Sequence, residues 1–126
     1  MNHSVLLEGK LAEGTGRMTL QLNQTIEINI SADKAQRQVN QFVHLEISTQ
    51  LHAGMPMLVV SSDNTSLWRV PVHLTLPAFG DVGRVGFLHV NPQTGEMDTS
   101  PVILNSLMQA ADVLAKRFAS PAAHTI

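Results

Sequence analysis

Six histidines, ten carboxylates and no cysteine set the chemistry open to this chain. Without cysteine there is no disulfide, no thiol nucleophile and no thiolate-ligated zinc or iron–sulfur centre. The histidines are His3, His44, His52, His73, His89 and His124, and no His-Glu-x-x-His occurs among them. His44 and His52 read as two turns apart on one helix, too far to share an ion directly. His73 and His89 lie in two alternating segments. Pairing those segments so that Val72 faces Val90 and Leu74 faces Leu88 puts apolar on apolar. It also sets His73 opposite His89 on the other face, where two imidazoles could hold a divalent metal or stand half-exposed without one. No third ligand is evident. The carboxylates are scattered, and Glu96 and Asp98 lie beside a turn. Ser61-Ser62 is not set in a Gly-x-Ser-x-Gly elbow, and Gly14-x-Gly16 is followed by neither a third glycine nor the lysine of a phosphate loop. No catalytic residue and no cofactor is therefore assigned.

The elements that would position these side chains follow from periodicity. Residues 17–30 alternate as two strands, with Met18, Leu20 and Leu22, then Ile26, Ile28 and Ile30, on one side. Val5 to Leu11 reads as a further short strand. Ser31 is an N-cap for a helix over 32–52, with Asp33 in its first turn and Gly54 as a left-handed cap. Met57-Leu58-Val59-Val60 is a short apolar run that suggests a strand buried on both faces. In 67–77, Trp68, Val70, Val72, Leu74 and Leu76 face one way, and Arg69, Pro71, His73, Thr75 and Pro77 the other. The two prolines suggest an edge or bulged strand. Arg84 to Val90 returns as a strand, Asn91-Pro92-Gln93-Thr94-Gly95 turns, and Glu96 to Thr99 begins a short last strand. Pro101 opens a second amphipathic helix over 101–118.

The order predicts one α+β domain over residues 1–126, a single antiparallel sheet with two helices packed on one face and frayed ends at 1–4 and 119–126. The core should be Trp68, Val70, Val72, Leu74, Leu88 and Val90, faced by Val39, Phe42, Val43, Leu107, Ala111 and Leu114. The segments Trp68-Arg69-Val70-Pro71-Val72 and Gly86 to Glu96, with the closing Thr94-Gly95-Glu96, resemble the sheet of PepSY-type domains. The resemblance covers roughly 35–99 and departs at Asn91, where those domains carry aspartate. It implies a helix-then-strands order and a peptide-binding or inhibitory role, which shared fold alone does not transfer.

The 126 residues carry 14% charged and 4% aromatic side chains and a formal charge of −2. That balance provides no positive field for nucleic acid or anionic lipid and few rings to stack on bases. No stretch is long and apolar enough to cross a bilayer, and the N-terminus does not read as a signal peptide, so the expected setting is cytoplasmic. With both helices on the Trp68 face, the other sheet face is left open and partly apolar. A non-enzymatic interaction module follows, expected as a homodimer or with a protein or peptide partner. Its contact surface would hold Val85, Phe87, His73, His89 and Thr75. The alternatives are a small antitoxin-type or DNA-associated regulator, and a small-molecule or metal-binding domain around His73 and His89.

Overall fold

Ser31 starts the first helix as its side chain requires: its hydroxyl accepts from the Lys34 amide at 3.1 Å. A computed structural model describes residues 5–8, 26–63 and 65–119. In it, α1 (Ala32–Glu46) lays Ala35, Val39 and Val43, four residues apart and fully buried, against the sheet. The helix stops at Ile47 rather than continuing to His52. The Ile47 and Ser48 amides both close on the Val43 carbonyl, and the Ser48 hydroxyl accepts from the Gln50 amide. A serine that bonds its own backbone competes with the helix ladder. The chain then enters β2 (Leu51–Ala53), with Leu51 and Ala53 buried and His52 turned to the other face.

Four strands form one antiparallel sheet: β2, β3 (Met57–Ser61), β4 (Ser66–Leu76) and β5 (Gly80–Val90). A fifth, β1 (Val5–Glu8), runs parallel along β3. β4 is the central strand. On one side it pairs β3 through Arg69–Ser66 and β2 through Val72–Leu74, and on the other it pairs β5 along its length. The expected edge position is thus corrected. Pro71 falls between the β2 and β3 ladders, where its carbonyl accepts from the Gly54 amide at 2.8 Å, so its missing N–H faces the gap between two short strands. Gly54 is not a left-handed cap. Glycine is needed there because a Cβ would stand 2.9 Å from Pro71 Cγ.

The β4–β5 register also differs from the one expected. Trp68 faces Val90 and Val70 faces Leu88, while Val72 faces Gly86. The shift is even, so from Gly86 to Val90 the same side chains stay on the same faces. Two irregularities interrupt the ladder, one leaving Val85 and the other Val82 without a partner across the strand. α2 (Pro101–Ala119) crosses β5 at Gly86, where an added Cβ would come 2.6 Å from Leu107 Cδ2.

Both helices pack on the Trp68 face, and the buried cluster runs from Ala35, Val39 and Val43 through Trp68, Val70, Val72, Leu74, Leu88 and Val90 to Leu107. Phe42, Ala111 and Leu114 are only partly buried against it. Residues 26–30 form no ladder strand. Instead the Asn29 and Ile30 amides bond the Pro92 carbonyl, and Trp68 Nε1 donates to the Ile30 carbonyl at 2.7 Å. Ile30 is buried and Ile28 exposed, against the expected single row. The Asn91–Glu96 turn forms with Gly95 at φ 79°, and the last strand reduces to one bridge between Val90 and Met97. The first of the two strands expected over 17–30, the break after it at 23–25 and the expected frayed ends at 1–4 and 120–126 lie outside the described residues, whereas Ala119 closes α2. No described helix is long and apolar enough to cross a membrane.

Candidate functional site on the uncovered sheet face

Alternation along β4 sends Arg69, Pro71, His73 and Thr75, each half-buried, to the face opposite the helices, which none of the described elements covers. Phe87 of β5 stands across from Pro71 on that face. Val85 does not: with no partner in the ladder, it packs against the buried cluster, so it drops out of the expected contact surface. Arg84 instead faces His73, and its guanidinium carbon lies 4.5 Å from the Phe87 ring centre. Arg69 lies over the same ring at 5.7 Å. Met55, Met57, Pro71 and Phe87 with the two arginines and His73 line a groove of about 410 Å³.

The expected pairing of His73 with His89 fails. His89 pairs with Arg69, which donates from Nε to His89 Nε2 at 3.1 Å, and His73 pairs with Arg84. Four strand positions separate them along β4, roughly 13 Å. His73 meets His52 instead, its direct neighbour on β2, with ring centres 5.5 Å apart. Asp81 reaches the pair from β5, opposite Thr75. Its Oδ2 lies 3.2 Å from His73 Nδ1 and 3.6 Å from His52 Nε2. The Gly83 amide holds Oδ1 at 3.0 Å, and Thr75 Oγ1 meets His52 Nδ1 at 2.9 Å. Burial works to raise the Asp81 carboxyl. The Gly83 amide and the two imidazoles, His73 before His52, outweigh it, so the group titrates below its ordinary range.

Helical spacing places His52 on the first helix, which hides it as a site residue. A signal for the strand is present in Leu51-His52-Ala53, where apolar residues alternate around the histidine just after Ser48-Thr49. Thr75, His52 and Asp81 are the types of a hydrolytic relay. However, the 3.6 Å gap from His52 to Asp81 exceeds hydrogen-bond length, so the imidazole is not held as such a relay requires. The chain matches no family model, no curated protein and no solved structure.

Proposed function

We propose that the protein is a non-enzymatic interaction module that receives an acidic, apolar peptide segment of a partner protein on its uncovered sheet face. The observation that carries this reading is Phe87, set among Met55, Met57 and Pro71 and flanked by Arg69 and Arg84. An apolar floor rewards burial of an aliphatic or aromatic side chain. Two guanidiniums at its margin favour carboxylates beside that side chain, since an arginine fork matches a carboxylate. A second copy of the chain, the sequence-based expectation, is the rival occupant. A twofold contact sets the patch against itself and would gather four arginines, two from each copy, in one interface, a like-charge cost that an acidic peptide avoids.

Fluorescence anisotropy with labelled decapeptides tests the reading. Peptides combining Leu or Phe with Asp or Glu should bind, more weakly as salt rises, and Phe87→Ser should abolish binding. Equal binding of Lys-substituted peptides, or no binding of any acidic one at low salt, would overturn it. A dimer in sedimentation at micromolar concentration, dispersed by Phe87→Ser, would assign the face to a second copy.

A further inference from the structure

We propose that His52, His73 and Asp81 form a binding site for one divalent transition-metal ion of the zinc class. The three side chains come from three strands, β2, β4 and β5, and their ligand atoms lie within 4.8 Å of one another. Ligands about 2.0–2.2 Å from a tetrahedral ion stand roughly 3.3–3.6 Å apart. The Asp81 Oδ2 distance to His52 Nε2, 3.6 Å, sits at the upper end of that range, and that to His73 Nδ1, 3.2 Å, just below its lower end. The edge between the two imidazoles is no longer than 4.8 Å.

The surroundings aim these atoms. With its proton on Nδ1, His52 donates to Thr75 Oγ1 and leaves the Nε2 lone pair towards Asp81. The Gly83 amide holds Asp81 Oδ1, and Oδ2 is the oxygen nearer His73 Nδ1, at 3.2 Å against 3.4 Å for Oδ1. The His73 ring packs close over Gly54, where an added Cβ would stand 3.2 Å from Nε2, so its Nδ1 edge faces inward to the cluster. Two imidazoles and a carboxylate suit zinc and its first-row neighbours, whereas magnesium and calcium favour all-oxygen sets. The side chains are 37%, 28% and 50% exposed in the order His52, His73, Asp81, which leaves the fourth position to water. His73 also lines the groove, whereas His52 and Asp81 lie outside its lining.

Calorimetry with zinc chloride, on the full chain carrying His3→Ala and His124→Ala, is the test. One ion per chain should bind, with magnesium failing to compete. Asp81→Asn and His52→Ala should each weaken zinc by about tenfold or more, and Thr75→Val, which removes the hydroxyl partner of His52 Nδ1, by about 10- to 100-fold. Zinc should raise the melting temperature of the parent but not of Asp81→Asn. In the parent chain, imidazole nitrogen NMR should show zinc shifting His52 and His73 and leaving His44 and His89 in place, a readout that needs no variant to fold. No saturable binding at about 100 µM zinc, shifts at other histidines, or a folded His52→Ala with parental affinity would reduce the cluster to an aspartate–imidazole ion pair and overturn the proposal.

Discussion

The two faces of β4 are built from one strand and do different work. Trp68, Val70, Val72 and Leu74 are at most 2% exposed and lie under both helices. The intervening Arg69, Pro71, His73 and Thr75 stay half-exposed, and the polar ones among them contact side chains of β2 and β5. Neither row is mixed. A change of one position along β4 therefore moves a substitution from the store of folding energy to the candidate chemistry.

Breaking the covered face should have the largest effect. Val72→Asp places an unpaired charge at the centre of the sheet, a change of the kind that costs upwards of about 4 kcal/mol. Loss of the cooperative thermal transition is expected, and a variant melting with the parent would mean that the strand faces the other way. Next comes Gly86→Ala, whose Cβ must displace the Leu107 side chain. Overpacking of this sort costs about 1–3 kcal/mol, readable as a lower denaturation midpoint with unchanged slope.

On the uncovered face, Phe87→Ser should lower stability by only about 1 kcal/mol, because the ring is half-exposed, while it removes the groove's apolar floor. The smallest effect is that of Asp81→Asn. A carboxyl held low in the folded state stabilises above its unfolded value of 3.8, and that contribution is lost as pH falls through the still lower folded value. The parent should thus exceed Asp81→Asn in stability at neutral pH by a small, salt-sensitive margin that is lost as pH falls below 3.8 and through the folded value. Paired urea melts across that range measure it. A margin that persists in acid would show that the asparagine acts through structure rather than charge.

The covered face is legible in the sequence because its signals are local. Ser31 caps a helix, Pro101 opens another, and period-two alternation identifies the buried row of β4 without any partner. The partner's register is not. A shift of four positions by itself preserves the inside–outside assignments, so the alternation of β4 and of residues 86–90 is equally content with Val90 against Val72 or against Trp68. Turn length and the two bulges decide between them, and neither leaves a mark in the apolar pattern. The histidine cluster is hidden for the same reason, compounded at Ser48, where the α1 pattern runs on past the point at which the backbone turns away. Residues 26–30 show the opposite failure: the alternation is real, but the Pro92 carbonyl takes the amides a neighbouring strand would need.

The bulges of β5 bear on how the protein behaves at high concentration. Among the described residues β5 pairs only with β4, apart from the single bridge at Val90, so one long border of the sheet is left without a neighbouring ladder. An even border of that length would template a further strand from another molecule. Here Gly80, Gly83 and Gly86 alternate with extra residues at Val82 and Val85, and the spacing of N–H and C=O groups changes twice within seven residues, 80–86. A straight incoming strand loses step at each change. The irregularity that carries Arg84 to the uncovered face and brings Asp81 level with Thr75 thus also makes the border a poor seed for polymerisation.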